Sequence, residues 1–98
     1  MYIYIWKFHV TENKRQAFEN LYGLTGAWVT LFKKHPGYIK TEFLCDLKAL
    51  NTYLTIDCWE SQFAYEGFRQ RFAEEFEELD KMGGLLTQKE EFIGEYNS

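Results

Sequence analysis

Residues 1–10 read MYIYIWKFHV. In an extended chain, successive side chains point to opposite faces. One face then carries Tyr2, Tyr4, Trp6 and Phe8, and the other Ile3, Ile5, Lys7 and His9. Aromatic and β-branched residues in this alternation predict a strand over 2–10. Both faces are apolar for most of their length, so the strand needs cover on two sides rather than one.

Reading outward, residues 11–37 carry a helical period. Phe18, Leu21, Trp28, Leu31 and Phe32 recur at three- and four-residue steps, with Leu24 or Thr25 bridging the middle. Asn13 is a candidate N-cap, with Gln16 three residues on as its capping-box partner. Lys33, Lys34 and His35 suit the negative end of the helix dipole, and Pro36 stops the helix near Lys34. Gly23 and Gly26 predict a bend or thin spot within it. Two strands follow, over 38–46 and 52–60, around a short turn, LKAL. Setting Asp46 against Asn51 places Asp57 opposite Lys40 and Trp59 opposite Tyr38. Cys45 and Cys58 then lie about six residues, or roughly 20 Å, apart, which is too far for a disulfide. Ser61 is a candidate N-cap for an apolar stripe of Tyr65, Phe68, Phe72, Phe76 and Leu79 that ends at Gly83 and Gly84. Gly67 leaves one helix or two open. A last strand is expected over 88–96.

The order strand, helix, strand, strand, helix, strand predicts one α+β domain spanning 1–98, with the ferredoxin-like split βαβ arrangement. Right-handed crossovers put both helices on one face of a four-stranded antiparallel sheet. The first and third strands become central. The second and fourth become edges, guarded by Lys40, Glu42, Lys89, Glu90, Glu91 and Glu95. The other face is left bare and is expected to be rich in rings. Such a patch marks an interface, so a homodimer closing into a shared barrel is expected.

Composition narrows the function classes. Apolar residues make up 46% of the 98 and aromatics 19%, which excludes a disordered chain. The net charge of −4 and scattered basic residues exclude a nucleic-acid footprint. No window is long and apolar enough to span a membrane. No targeting segment is read, so a cytoplasmic setting with reduced thiols is expected. No phosphate-binding glycine loop, Ser-centred elbow or metal-spaced His/Cys cluster is present.

Three stretches, GAWVTLFKKHPGYIKTEFL, YLTIDCWESQFAYEGF and EEFIGEY, resemble the antibiotic biosynthesis monooxygenase family of dimeric α+β barrels. The resemblance covers nearly the whole chain. It implies a cofactor-free monooxygenase acting on a small aromatic or quinol-type molecule. The family's enzymes of this kind place a Trp at the position of Trp59 and a Tyr at the position of Tyr65. Their Asn four residues before the Trp is Thr55 here, and their later Arg falls near Leu79, so only Arg69 or Arg71 remains to replace it. The haem-degrading members use an Asn on the first strand, which has none here, while Phe68 stands where they have Trp and Glu78 near their His. No haem, flavin or metal is therefore expected.

The residues themselves name Trp59 as a pocket wall or core ring, and Tyr65 as a hydrogen-bond donor to an oxyanion or a core ring. Asp57 reads as a buried base or as the partner of Lys40 or Lys7. Trp28 and Phe72, at helical spacing, read as core rings first and pocket lining second, and with Thr55 and Phe68, at positions the resemblance marks, they are the candidate substrate-binding residues. His9 reads as exposed at a strand end, and His35 as a charge at a helix end. A ligand-binding or interaction module without catalysis, and an isomerase using Asp57 or His9 as base, are the competing readings.

Overall fold

A computed structural model describes all 98 residues. Four strands, β1 (Tyr2–Val10), β2 (Tyr38–Cys45), β3 (Thr52–Trp59) and β4 (Thr87–Asn97), form one antiparallel sheet in the order β2-β3-β1-β4. The helices are α1 (Arg15–Tyr22), α2 (Ala27–Phe32), α3 (Gln62–Arg71) and α4 (Ala73–Gly84), with a single 3-10 turn at Glu12–Lys14. This is the α+β, ferredoxin-like fold, with β1 and β3 central and β2 and β4 at the edges.

Both helical segments divide into two shorter helices. The first divides because Gly23 and Gly26 both adopt extended angles. A Cβ on Gly23 would lie 2.6 Å from the Glu19 carbonyl oxygen, and one on Gly26 2.6 Å from that of Asn20. The turn passes too close to the helix for any side chain. The second divides at Phe72, whose φ of −112° and ψ of 32° lie outside the helical range, so Gly67 is not the break. The Asn13 capping box does not form. Asn13 lies inside the 3-10 turn, and Gln16 donates to Asn20 instead. Ser61 does cap α3, accepting from the Ala64 amide at 3.0 Å. Asp46 closes the β2–β3 turn by accepting from the Lys48 and Ala49 amides, with Asn51 taking the left-handed angle at φ 59°.

The hairpin register differs from expectation by one residue. Tyr38 faces Trp59, but a bulge at Ile39 then sets Lys40 against Cys58 and Thr41 against Asp57. Asp57 therefore meets a threonine, not Lys40 or Lys7, and forms no ion pair. Cys45 and Cys58 are both free thiols.

The partition of the two sheet faces also corrects the expectation. Tyr2, Tyr4, Phe8, Tyr53 and Trp59 are buried beneath the protein's own helices, together with Phe18, Leu21, Trp28, Phe32 and Phe68. Burying each such side chain contributes about 1.5–3 kcal/mol. The opposite face is aliphatic rather than ring-rich. Cross-strand partners share a face, so Ile3 with Cys58, Ile5 with Ile56, and Leu54 with Leu44 make its centre, with Tyr96 at one edge. Ile3, Ile5, Leu54 and Ile56 are half-buried, and Leu44 and Tyr96 are exposed. No helix of the chain is long and apolar enough to cross a membrane.

Candidate functional site

A cavity of about 270 Å³ lies between the sheet and the helices. Its floor comes from two neighbouring rows of the covered face. One row is Thr41, Asp57 and Tyr4; the next includes Thr55 and Trp6. Alternation along β3 dictates this arrangement. Tyr53, Thr55, Asp57 and Trp59 all face the helices because their neighbours Leu54, Ile56 and Cys58 face away. The walls are Phe8, Tyr22, Trp28, Val29, Phe32, Tyr65 and Phe76, and the polar rim is Arg69, Asp80 and Glu90.

Asp57 is 5% exposed. Its Oδ1 accepts a 2.6 Å hydrogen bond from the Thr41 hydroxyl, which in turn accepts one from the Tyr38 hydroxyl at 2.7 Å. Loss of hydration raises the Asp57 pKa to about 7, against smaller lowering effects from Thr41 and Tyr4. The Tyr4 phenol is pushed well up, first by burial and then by the charge of Asp57. A carboxyl that titrates near neutrality beside an apolar cavity can both take and return a proton.

Tyr65 lines the same cavity. Its ring packs 4.8 Å from Tyr4 and 5.4 Å from Trp59 between centroids, and its hydroxyl accepts from Arg69 Nη1 at 3.2 Å. The Arg69 guanidinium also sits 3.9 Å over the Phe76 ring, a cation–π contact. Thr55 and Trp28 line the cavity as well.

Trp59 lies behind the cavity wall instead of on it. It is fully buried, ringed by Phe32, His35, Tyr38, Tyr65 and Phe68 at 4.9–5.9 Å between centroids. Its indole N–H approaches the Tyr4 phenol closely enough to favour the phenolate, but not in full hydrogen-bond geometry. Phe68 is fully buried and packs against Phe72 at 5.6 Å, and neither ring reaches the cavity. The structure thus brings Asp57, Tyr65, Trp28 and Thr55 to one void and leaves Trp59, Phe68 and Phe72 as packing around it.

Neither histidine joins the site. His9 pairs with Glu91 at 2.6 Å on the aliphatic face and is half-buried. His35 is not spent on a helix end. Its Nδ1 accepts from the Gly37 amide at 3.1 Å, and its ring packs against Trp59 and Phe68. No three His, Cys, Asp or Glu side chains converge as a metal site would need. Thr41, Tyr4 and Asp80 carry no site signal in the sequence, and Glu90 reads there only as an edge-strand guard, whereas it is half-buried in the cavity lining. Thr41 was hidden by the bulge, and the other three come from elements far apart in the chain.

The antibiotic biosynthesis monooxygenase family model matches residues 1–79. Among solved structures, SnoaB, a cofactor-independent oxygenase from Streptomyces nogalater, has a TM-score of 0.81 at 18% identity, covering 99% of this chain and 91% of that one. A conserved protein from Methanosarcina mazei Go1 has a TM-score of 0.75 at 17% identity, covering 100% and 93%. A NIPSNAP domain protein from Burkholderia xenovorans has 0.71 at 13%, covering 100% and 94%. At these identities the likeness is one of fold. No curated protein matches the chain. A match over residues 1–79, on a chain with this sheet order and this helix-covered face, makes it a member of the antibiotic biosynthesis monooxygenase family.

Proposed function

We propose that this chain is a cofactor-independent monooxygenase for a small hydroxylated aromatic or quinol-type molecule. One observation carries the reading: a buried carboxyl with a pKa of about 7 opens onto a ring-lined cavity. At protein-like packing, about 0.74, the cavity would enclose roughly 200 Å³ of ligand atoms, enough for two or three fused rings.

The chemistry asks little of the protein. Asp57 takes the substrate hydroxyl proton, and Tyr65 with the Thr55 hydroxyl holds the resulting phenolate oxygen. The electron-rich ring transfers an electron to dioxygen, and the two radicals join, forming a C–O bond at a ring carbon bearing hydrogen. Protonated Asp57 returns its proton to the peroxide. Loss of that carbon's hydrogen and cleavage of the O–O bond release water and leave a quinone. Each dioxygen places one oxygen in product and one in water. The apolar walls exclude solvent from the anion, where fixed dipoles act most strongly.

The aliphatic face of the sheet supports a homodimer, since two copies set face to face hide Ile5, Leu54 and Ile56 from water. The two free cysteines support a reducing, cytoplasmic setting.

The test is oxygen uptake with hydroxylated naphthalene- and anthracene-type substrates, comparing wild type, Asp57→Asn and Trp59→Phe. Turnover lost in Asp57→Asn and retained in Trp59→Phe is expected. Background rates in the wild type across the panel refute the enzyme. A second reading, a binding module without catalysis, is favoured by Thr55 and Leu79 standing where the family's oxygenases have Asn and Arg. It predicts that the same molecules bind with no oxygen consumed.

A further inference from the structure

The cavity has a charge as well as a shape. Asp80 on α4, Glu90 on β4 and Arg69 on α3 all line it, with Asp57 on the floor. The chain's ion pairs join Lys81 to Glu77, and His9 and Lys89 to Glu91, so none neutralises Asp80 or Glu90. Glu90 is half-buried and accepts from the Thr87 hydroxyl at 3.0 Å. Desolvation and then the neighbouring charge of Asp80 push its pKa up. The Tyr22 phenol on the same wall is raised by burial and by both carboxylates. Arg69, the one cation of the lining, is already engaged with the Tyr65 hydroxyl and the Phe76 ring face.

We infer that Asp80 and Glu90 set the charge of what this cavity accepts: hydroxylated aromatics carrying no negative charge, with a cationic substituent tolerated or favoured, and carboxylated, sulfonated or phosphorylated ones turned away. The inference rests on the proposal that the cavity is the substrate site. An entering carboxylate would meet the like charges of Asp80 at the exposed rim and of half-buried Glu90, and repulsion from the half-buried group is screened less than in bulk water. An ammonium group meets those same charges with the opposite sign, and the rings of Trp28 and Tyr22 that line the cavity suit a cation as well.

Three probes of nearly equal size separate the outcomes by isothermal titration at low salt near neutral pH: 2-naphthol, 6-hydroxy-2-naphthoate and 6-(aminomethyl)-2-naphthol. The neutral and cationic probes are expected to bind, with the carboxylate weaker by about tenfold or more, which is ~1.4 kcal/mol. Asp80→Asn, on an exposed side chain that forms no ion pair, is expected to narrow the ratio between carboxylate and naphthol. Adding Glu90→Gln is expected to bring it close to one. A carboxylate that binds as tightly as naphthol in the wild type overturns the inference while leaving the site intact, and loss of that affinity in Arg69→Gln would make Arg69 the reader of charge. Failure of all three probes to bind folded protein overturns the site itself.

Discussion

Replacing Asp57 by Asn tests the buried carboxyl most directly. In the fold its pKa is about 7, whereas its ordinary value is 3.8. Folding therefore favours the protonated form. The native state binds more protons than the unfolded chain across this window, so the group makes stability fall as pH rises. Its full effect is absent below about pH 4, develops between about pH 4 and 7, and is constant above. The span is roughly three pH units at ~1.36 kcal/mol each, or about 4 kcal/mol as an upper bound. Asn keeps the shape and still accepts from Thr41, but has no charge to desolvate. The assay is urea unfolding of wild type and Asp57→Asn, followed by tryptophan fluorescence from about pH 4 to 8 at one fixed protein concentration. The variant is expected to gain on the wild type as pH rises, levelling off above pH 7, even while oxygen uptake is lost. Comparing the two proteins cancels the titration of the other carboxylates. A stability difference that stays flat across that range would show Asp57 to be ionised and solvated, and the proposed base would fail with it.

Thr41→Val removes the donor that holds the Asp57 carboxylate, so the Asp57 pKa is expected to rise further and the acidic limb of the activity profile, where the base loses its charge, to move to higher pH with it; infrared titration of the carboxyl checks the direction. Gly83→Ala would drive a methyl into the buried Tyr22 hydroxyl, a clash worth about 1–3 kcal/mol; thermal unfolding should show the loss, with part recovered in Gly83→Ala/Tyr22→Phe, and a neutral Gly83→Ala would refute the packing. Trp59→Ala is expected to cost about 3–5 kcal/mol because the ring is fully enclosed, with Trp59→Phe much milder in the same denaturation assay. Light scattering should find the wild type near twice 11.8 kDa and Ile56→Glu near one copy; a wild-type monomer at micromolar concentration removes the dimer.

Much of the architecture was legible because local patterns sufficed for it. Alternation in MYIYIWKFHV and the cap at Ser61 each act within a few residues and place β1 and the start of α3, while the order of elements with right-handed crossovers gives the strand order. Trp28, Asp57 and Tyr65 stand out as candidate site residues, because a carboxylate on a central strand or an amphipathic ring beside the core is conspicuous in one dimension, whereas Thr55 is marked only by the family resemblance. Tertiary structure decided the rest. A single extra residue at Ile39 changed the Asp57 partner from lysine to threonine, and so made the carboxyl an unpaired, desolvated acid instead of half of an ion pair. Which face of β1 the helices cover was equally beyond the sequence, since both faces are apolar and hydrophobicity alone does not choose between rings and aliphatic chains. The cavity is the clearest case: a void is what packing fails to fill. Its walls come from Tyr4, Trp28, Asp57, Phe76 and Glu90, which no spacing along the chain connects.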